Sequence, residues 1–481
     1  MIELNNIKRI YFIGIGGIGM SALAKYFNEK RIVVSGYDKT STTLTKQMED
    51  EGINIHYEES IDLLDKEAQL VVYTPAVPKD HMELNYYQEH NYSIAKRSDI
   101  LELITNNSFN ICIAGTHGKT TITTLLAHIL RDSNYGCTAF LGGIAVNYNT
   151  NFWKSDNNVC VVEADEYDRS FLKLKPDIAV ISAMDADHLD IYETVEAMQQ
   201  AFVDFSNNIK PGGLLINKFG LNKASGFTTP KHITYSLQNE SANAYAANIK
   251  MEHGGYQFDV LMKDWMIDNI ELHMGGMHNV ENAVAAIIIA HQLEIENAKI
   301  RAAIENFKGI KRRFEYIIPP SSSVKNNVSF SAVGTNEIIF IDDYAHHPEE
   351  LKALITAAKS LFNKMMCTVI FQPHLYSRTR DLAEQFAEAL DLGDEVILLP
   401  VYPAREEPIN GVSSELILKK MKNTNRQILD KKALLNWLKE PSHLSENSSE
   451  LFITAGAGDI DTLVEPIKNI LTSKTKANNY A

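Results

Sequence analysis

The chain has 481 residues, a length that accommodates about three domains of ordinary size and excludes a small disulfide-stapled scaffold. Its 46 Lys and Arg are outnumbered by 61 Asp and Glu, and the formal net charge of −15 argues against nucleic acid as a partner. A composition of 45% hydrophobic and 22% charged residues is typical of a globular protein and argues against disorder and against a membrane location. The four cysteines show no C-x-x-C spacing, which predicts buried thiols in a reducing, cytoplasmic compartment.

Short apolar runs alternate with amphipathic helical stretches along most of the chain, which predicts βαβ units and an α/β fold with parallel sheets. The predicted strands are Arg9 to Ile13, Ile32 to Ser35, Leu70 to Tyr73, Asn110 to Ala114, Val159 to Val162, Ile178 to Ser182, Ile338 to Ile341, Thr368 to Phe371, Glu395 to Leu399 and Leu451 to Thr454. Two glycine-rich turns, near Gly14 and Gly115, lie too far apart for one mononucleotide fold, so we expect separate nucleotide-binding sheets. Domain boundaries are predicted between residues 105 and 108 and near residue 312, before the polar stretch 319–336.

The first glycine-rich turn fits the pattern G-x-G-x-x-G, follows a predicted strand and precedes a helix. Glycines allow the backbone to approach a pyrophosphate, whose charge then meets the N-terminus of the helix. Asp38 ends the next strand, where a carboxylate could bind a ribose hydroxyl. A tight turn without a ligand is the alternative interpretation. The predicted nucleotide-binding residues are Gly14, Gly16, Gly17, Gly19 and Asp38.

The second turn, AGTHGKTT, also lies between a predicted strand and a helix. It departs from the strict phosphate-loop pattern because Ile113 stands five positions before Gly118, but Gly118, Lys119 and Thr120 are retained. In such loops backbone N–H groups bind phosphates, the lysine reaches the β and γ oxygens and the hydroxyl binds Mg²⁺. The predicted triphosphate-binding residues are Gly115, Thr116, Gly118, Lys119, Thr120 and Thr121.

Acidic residues and an imidazole follow two later strands, at the edge where open α/β sheets bind ligands. Glu163 and His188 are predicted metal ligands. For Asp185 and Asp190 a solvated acidic loop is the favoured interpretation.

Several other polar groups have two interpretations. Asn279 and Asn282 share a helix face, where they either cap the helix or contact an amide or adenine edge. The basic run that ends at Arg313 is either a solvated face or a phosphate clamp at the second boundary. A metal role for the pair His346 and His347 is disfavoured, because adjacent side chains point apart on an extended chain.

In order, the segments FIGIGGIGMS, AGTHGKTT, EADEYD, DADHLD, HNVENAVAA, KRRFE, DDYAHHP and FQPHLYSRTRDL resemble the Mur ligases, ATP-dependent amide-bond-forming enzymes of peptidoglycan synthesis. The resemblance implies three α/β domains: a Rossmann-like sugar-nucleotide domain at 1–107, a P-loop ATPase domain at 108–312 and a Rossmann-like amino-acid domain at 313–481. It implies ATP, Mg²⁺, UDP-N-acetylmuramate and L-alanine as small-molecule partners, and we expect a monomer or weak homodimer.

The resemblance also assigns individual roles. Lys119, His188 and Arg313 would be catalytic, with Thr120, Glu163 and His188 as the metal ligands. Asn279, Asn282, Arg313 and Asp343 would contact ATP, and Tyr344, His346, His374 and Arg378 would bind alanine. Leu375 stands where the family often has arginine, which puts one carboxylate or phosphate contact in doubt.

The implied reaction has two steps, formation of an acyl phosphate from the muramyl carboxylate and ATP, then attack by the amine of alanine. Three alternatives stay open from the sequence. A nicotinamide-dependent dehydrogenase would account for the first glycine loop, and a P-loop switch protein for the second. A recycling ligase that attaches a preformed tripeptide to the same sugar is the third.

Overall fold

The computed structural model describes residues 4–321, 337–404, 406–440 and 449–478, and in these residues the strands form three sheets that are mostly parallel. All ten strands predicted from apolar runs are present, with ends that differ by at most two residues. The predicted α/β class with three sheets is therefore confirmed. Most of the predicted polar stretch 319–336 lies outside the described residues.

The first sheet has five parallel strands in the order β3-β2-β1-β4-β5. Its strands are β1 (Arg9–Ile13), β2 (Val33–Tyr37), β3 (Asn54–His56), β4 (Leu70–Tyr73) and β5 (Ile94–Lys96), and its helices are α1 (Ile18–Glu29), α2 (Thr43–Asp50), α3 (Met82–Glu89) and α4 (Arg97–Thr105). The order reverses at β1, and open sheets bind ligands beside such a switch point. The turn after β1 is the first glycine-rich turn.

The second sheet has ten strands in the order β15-β14-β13-β12-β11-β10-β6-β9-β7-β8. Its strands are β6 (Phe109–Ala114), β7 (Thr138–Ala145), β8 (Thr150–Trp153), β9 (Val159–Glu163), β10 (Ile178–Ile181), β11 (Leu214–Lys218), β12 (Lys231–Ser236), β13 (Ala244–Glu252), β14 (Gly255–Met262) and β15 (Trp265–Leu272). The helices are α5 (Lys119–Asp132), α6 (Leu189–Tyr192), α7 (Val195–Asn207), α8 (Met277–Gln292) and α9 (Asn297–Asn306). Strands β9, β6 and β10 are parallel neighbours, so the carboxyl ends of β6, β9 and β10 meet at one edge.

The third sheet has the order β16-β17-β21-β18-β19-β20, in which only β16 pairs antiparallel. Its strands are β16 (Glu315–Ile318), β17 (Ile338–Asp343), β18 (Met366–Phe371), β19 (Glu395–Leu398), β20 (Arg426–Ile428) and β21 (Glu450–Ala455). The helices are α10 (Pro348–Leu361), α11 (Tyr376–Asp381), α12 (Ala383–Leu390), α13 (Ser414–Leu418), α14 (Lys431–Lys439) and α15 (Val464–Asn478).

The chain divides into two compact units. The first comprises Met1–Ala247, Val260–Ile267 and Glu281–Ile304, and the second comprises Asn248–Asp259, Asp268–Val280 and Glu305–Ala481. In the first unit one cluster of buried hydrophobic side chains includes residues of the first two sheets. Tyr26 of α1, for example, packs against Phe140 of β7 and Phe152 of β8, with ring centroids 5.6 and 6.0 Å apart. Buried apolar area of this kind stabilises the contact between the two sheets.

The thiols of all four cysteines are free and buried, as predicted. No described helix combines the length and the apolar composition that crossing a bilayer requires.

Candidate active site

The phosphate-loop segment connects β6 to α5, at the edge where β9 and β10 also end. Gly118 is the residue before the helix and has a φ of +81°, a conformation that favours glycine. A Cβ built on Gly118 would lie 2.5 Å from Oδ1 of Asn282, so this position is also too close to α8 for a side chain. The backbone N–H of Thr116 donates to the carbonyl of Ala183 at 3.1 Å, and the Thr116 hydroxyl accepts the N–H of Asp185 at 3.2 Å. These contacts fix the loop against the segment after β10.

Lys119 forms the shortest charged contact of this loop. Its Nζ donates to Oε1 of Glu166 at 2.7 Å and to the carbonyl of Gly115 at 2.7 Å. The Glu166 side chain is fully buried, and the Lys119 side chain is 14% exposed. Burial raises the pKa of Glu166 above its ordinary value, and the nearby Lys119 ammonium opposes that shift. Lys119 and Glu166 therefore form a buried ion pair.

Two of the three predicted metal ligands are adjacent. The Thr120 hydroxyl donates to Oε1 of Glu163, the last residue of β9, at 3.2 Å. His188 has a φ of +49° and its Nε2 lies 3.9 Å from Oε1 of Glu166. Among the described residues no three His, Cys, Asp or Glu side chains are close enough to form a ready-made metal cage. Mg²⁺ commonly binds one or two carboxylates together with water and phosphate, so this donor set suits that ion.

The acidic loop after β10 agrees with the solvated interpretation at Asp185. Its side chain is 73% exposed and lies 3.8 Å from Nε2 of His117, which is 71% exposed. Exposed pairs of this kind contribute little to stability. The side chain of Asp190 lies outside the described residues.

The two asparagines lie in the first turns of α8 and are both buried. The side-chain amide of Asn279 donates to the carbonyl of Gly275 at 2.7 Å, a contact that stabilises the start of the helix. Asn282 is the residue whose Oδ1 faces Gly118. Asn279 thus contacts the segment before the helix, whereas Asn282 lies at the phosphate loop.

In the first glycine-rich turn Asp38 contacts the loop itself. Its Oδ2 accepts the N–H of Gly16 at 2.8 Å, and its Oδ1 accepts the N–H of Thr40 at 3.1 Å. A Cβ on Gly16 would lie 2.8 Å from Oδ2 of Asp38. Asp38 therefore fixes the loop, and its contact with a ribose hydroxyl stays a prediction.

The last glycine of this turn, Gly19, lies so close to an arginine outside the motif that a side chain would not fit. A Cβ on Gly19 would lie 2.6 Å from Nη1 of Arg97, the first residue of α4. Arg97 lies 3.5 Å from Oδ2 of Asp165, and its side chain is 23% exposed. The positively charged guanidinium of Arg97 is thus held next to the N-terminus of α1.

A cleft of about 290 Å³ within the first unit lies between the first glycine-rich turn and Glu163 at the end of β9. The lining residues that bear on the chemistry are Gly17, Gly19, Arg97, Glu163 and Asp165. Apolar side chains that include Met20, Leu23 and Leu101 form the rest of its wall. One cavity therefore extends from the first glycine-rich turn to the carboxylate that contacts Thr120.

In the second unit the basic run is divided between two environments. Arg312 lies 3.3 Å from Oδ2 of Asp342 and 5.1 Å from the ring centroid of Tyr344, whereas Arg313 is exposed. Both carboxylate oxygens of Asp343 accept backbone N–H groups, from Phe314 at 2.6 Å and Ala345 at 2.7 Å. Burial raises the pKa of Asp343 to about 6. Asp343 thus fixes the chain between β17 and α10.

The four predicted alanine-binding residues come together after β17 and β18. The rings of Tyr344 and His346 have centroids 5.1 Å apart, and those of His346 and His374 are 6.1 Å apart. Arg378 donates to the carbonyl of His346 at 3.5 Å. Burial, together with the charges of Arg378 and His346, lowers the pKa of His374 to about 4, so its imidazole is neutral at pH 7. Leu375, the residue before α11, has a φ of +71°, unusual for a bulky residue.

Comparisons with known proteins cover almost the whole chain. The family described as "Mur ligase family, catalytic domain" matches residues 9–108, "Mur ligase middle domain" matches 113–290 and "Mur ligase, glutamate ligase domain" matches 330–458. The UDP-N-acetylmuramate–L-alanine ligase of Cytophaga hutchinsonii is 43% identical over 97% of both chains. The ligase of the same name from Parabacteroides distasonis is 42% identical over 99% of this chain and 100% of its own. The chain belongs to the Mur ligase family.

Solved structures of Mur ligases agree with this assignment. The UDP-N-acetylmuramate–alanine ligase of Thermotoga maritima aligns with a TM-score of 0.79 and 28% identity, over 97% of this chain and 99% of its own. A murein peptide ligase from Psychrobacter arcticus aligns with a TM-score of 0.64 and 22% identity, over 97% and 98% of the two chains, which shows a shared fold.

Sequence reasoning did not identify two charged residues at this Mur ligase site, Glu166 and Arg97. Glu166 stands three residues after Glu163 in the segment EADE, and only the contact with Lys119 distinguishes it from other acidic residues. A partly buried lysine in a phosphate loop needs a counter-ion, and this need is the signal that would have pointed to Glu166. Arg97 follows β5 and carries no motif signal.

Proposed function

We propose that this chain joins L-alanine to the carboxylate of UDP-N-acetylmuramate with the consumption of ATP, a step of peptidoglycan precursor synthesis. The observation that carries the proposal is the single cleft that contains both the first glycine-rich turn and Glu163 at the phosphate loop. A sugar nucleotide bound at one end would extend toward the ATP phosphates at the other. A dehydrogenase would need no phosphate loop, and a switch protein would need no such cleft.

The recycling ligase is the alternative within the family. Murein peptide ligases resemble this chain at 22% and 24% identity, which supports a shared fold alone. Curated alanine ligases resemble it at 41 to 43% over almost the whole length. The alanine-adding reaction is therefore the better supported activity.

The sugar nucleotide is proposed to bind on Gly14, Gly16, Gly17 and Gly19. The backbone N–H groups at the start of α1 would face its diphosphate, which is the arrangement that helix N-termini offer to anions. Asp38 would act by holding Gly16 in place. The muramyl end would then lie in the cleft beside Glu163.

In the first step the muramyl carboxylate attacks the γ-phosphorus of ATP, the bond to the bridging oxygen breaks and ADP leaves. Two anions approach each other in this step, so positive charge around the transferred group lowers the barrier. Lys119 and the exposed Arg313 are the proposed sources of that charge. In the second step the alanine amine attacks the carbonyl carbon of the acyl phosphate and inorganic phosphate leaves.

Thr120, Glu163 and His188 are the proposed Mg²⁺ ligands. The Thr120 hydroxyl and the Glu163 carboxylate offer adjacent oxygen atoms at the carboxyl end of β9. Such a donor set fits a hard cation. When bound, the ion would supply further positive charge to the transferred phosphate.

Alanine is proposed to bind among Tyr344, His346, His374 and Arg378. The guanidinium of Arg378 suits the α-carboxylate of the amino acid. The neutral imidazole of His374 offers a ring-nitrogen lone pair that can accept a hydrogen bond from the ammonium of alanine. Nδ1 of His374 is buried and has no hydrogen-bond partner among the described residues.

Asn279 and Asn282 are proposed to lie on the adenine side of ATP, and Asp343 is a further proposed contact with the nucleotide. The domain boundaries near residues 107 and 312, a cytoplasmic location and a monomeric or weakly dimeric state also stay predictions. Both boundaries fall between elements of successive sheets.

A phosphate-release assay tests the activity. Purified protein is mixed with ATP, Mg²⁺ and UDP-N-acetylmuramate, and the amino acid is varied among L-alanine, L-serine, glycine and a preformed tripeptide. We expect release that requires the sugar nucleotide and is fastest with L-alanine, with the alanyl product identified by mass spectrometry. Release with the tripeptide but not with alanine would establish the recycling activity instead.

A further inference from the structure

Glu166 is a fully buried carboxylate beside the phosphate loop to which neither the motifs nor the family resemblance gave a role. Its Oε1 and the carbonyl of Gly115 each lie 2.7 Å from Nζ of Lys119. A lysine ammonium has three N–H donors. Among the described residues these two oxygens are its acceptors, so one donor is left and its direction is fixed by the other two.

The position of this carboxylate is set by the fold. The Glu166 carbonyl accepts the hydroxyl of Tyr192 at 2.6 Å and the N–H of Arg169 at 3.0 Å. Tyr192 is buried, and the guanidinium of Arg169 lies 4.9 Å from its ring centroid. The backbone of Glu166 is therefore held by contacts that involve no ligand, and its side chain reaches Lys119 from a fixed point.

A carboxylate here opposes the binding of ATP, because it repels the phosphates and weakens the net positive charge of Lys119. Affinity for ATP therefore does not explain its presence. The orientation of the Lys119 ammonium does explain its presence, since catalysis by a positioned charge requires hydrogen-bond donors that are already in place before the reaction begins.

We propose that Glu166 is a positioning residue that holds the Lys119 ammonium so that its remaining N–H faces the phosphate group transferred from ATP. This inference rests on the proposed function, because it assigns Lys119 to that transfer. Glu166 itself does not contact the reacting atoms. Its negative charge, rather than its shape, does the positioning.

The substitution Glu166→Gln tests the inference, because it keeps the shape and removes the charge. We expect kcat to fall about tenfold, equivalent to about 1.4 kcal/mol in the barrier. The KM for ATP, and the Kd of a non-hydrolysable ATP analogue measured by calorimetry, should stay the same or fall, because the repulsion is removed. Glu166→Asp keeps the charge but shortens the reach, so its kcat should lie between those of Glu166→Gln and the unsubstituted protein.

Glu83→Gln is the matched control. Glu83 is also fully buried, and its carboxylate accepts the Tyr11 hydroxyl at 2.7 Å and the N–H of Ser60 at 3.2 Å in the first sheet. This substitution should lower the melting temperature while kcat and the KM for ATP stay unchanged. A fall in kcat of the same size in Glu83→Gln would show a general structural effect and overturn the inference.

An unchanged kcat in Glu166→Gln would also overturn the inference, as would a tenfold weaker affinity for the analogue with normal turnover. If Glu166→Gln does not fold, Glu166→Asp decides: a kcat below that of the unsubstituted protein with unweakened analogue binding supports the inference, and an unchanged kcat overturns it. Failure of the proposed function would differ from all of these, because the unsubstituted protein would then bind the analogue and form no alanyl product.

Discussion

At Gly118 a single added methyl group should reduce the use of ATP by more than the accompanying loss of folding stability explains. Its φ of +81° disfavours alanine, and a left-handed backbone costs an alanine about 1 to 2 kcal/mol. In Gly118→Ala the new Cβ would also lie 2.5 Å from Oδ1 of Asn282, an overlap that costs about 1 to 3 kcal/mol more. The phosphate loop or Asn282 must shift, and a shift of about 1 Å can reduce turnover by about 10²-fold.

Gly212→Ala is the matched control for the backbone cost. Gly212 belongs to the same unit, has a φ of +82° and would place its Cβ with nothing within 4 Å. This variant should lose about 1 to 2 kcal/mol of stability, a fall in melting temperature of about 2 to 8 °C, with normal kinetics. Gly118→Ala should melt lower still.

The assay is a titration of ATP in the phosphate-release reaction, with the melting temperature of each variant measured in parallel. We expect kcat/KM for ATP to fall at least about tenfold in Gly118→Ala, equivalent to about 1.4 kcal/mol, and to stay within about twofold in Gly212→Ala. Equal kcat/KM values in the two variants would refute the inference that the phosphate loop, in its position against Asn282, binds ATP.

Four further predictions address other parts of the molecule. Lys119→Ala should abolish ligation while UDP-N-acetylmuramate still binds in calorimetry, because the sugar nucleotide is assigned to the first glycine-rich turn; lost binding would refute that assignment. Arg97→Gln should raise the KM for UDP-N-acetylmuramate by about 10- to 100-fold, since a charge-assisted hydrogen bond contributes about 1.5 to 3 kcal/mol, and leave the KM for ATP unchanged. Arg9→Gln, which removes another arginine of the same unit 3.0 Å from a carboxylate, serves as its control and should change neither constant. Burial raises the pKa of Asp342 from 3.8 to about 7, so the folded state holds this proton more tightly than the unfolded state and stability falls as pH rises between these values. The unfolding free energy of Asp342→Asn, measured by denaturant titration, should therefore rise relative to that of the unsubstituted protein by up to about 4 kcal/mol between pH 4 and pH 7. A parallel pH dependence of the two proteins would contradict this. Depletion of bicarbonate should leave the rate unchanged, whereas His188→Ala should lose most activity without rescue by short carboxylic acids; restoration of the rate by bicarbonate would reveal a carbamate.

The bicarbonate prediction depends on helix α7. The later enzymes of the Mur ligase family commonly carry a carbamylated lysine in the helix that follows the D-H-x-D motif. Here α7 (Val195–Asn207) contains no lysine. The nearest one, Lys210, donates from Nζ to Oδ2 of Asp177 at 2.7 Å and to the carbonyl of Ser108 at 2.9 Å. An ammonium held by these two acceptors is not available for carbamylation.

Apolar runs predicted the central strands well, because parallel strands buried on both faces consist of continuous hydrophobic residues. The same rule could not find the peripheral strands. Strand β13, for example, has only two buried residues among its nine, and β3 and β5 have only three residues each. Their pairing depends on neighbours distant in sequence, which periodicity does not report.

The candidate site shows the same division. The glycine-rich turns and Lys119 could be predicted because local spacing determines their chemistry. The partner of Lys119 could not, since both Glu163 and Glu166 stand in one acidic segment and only tertiary structure shows which of them reaches the ammonium. The contact of Asp38 with Gly16 is a similar case, because the strand end was predicted and the acceptor role toward the loop was not.

The buried thiols allow the unfolding of each compact unit to be followed separately. Cys112, Cys137 and Cys160 belong to the first unit and Cys367 to the second, and burial raises the pKa of both Cys137 and Cys367 to about 12. An alkylating reagent attacks the thiolate, so each sulfur is protected until the surrounding core opens. Pulsed alkylation followed by peptide mass analysis can therefore time the unfolding of the two units separately, in the native sequence and without an attached label.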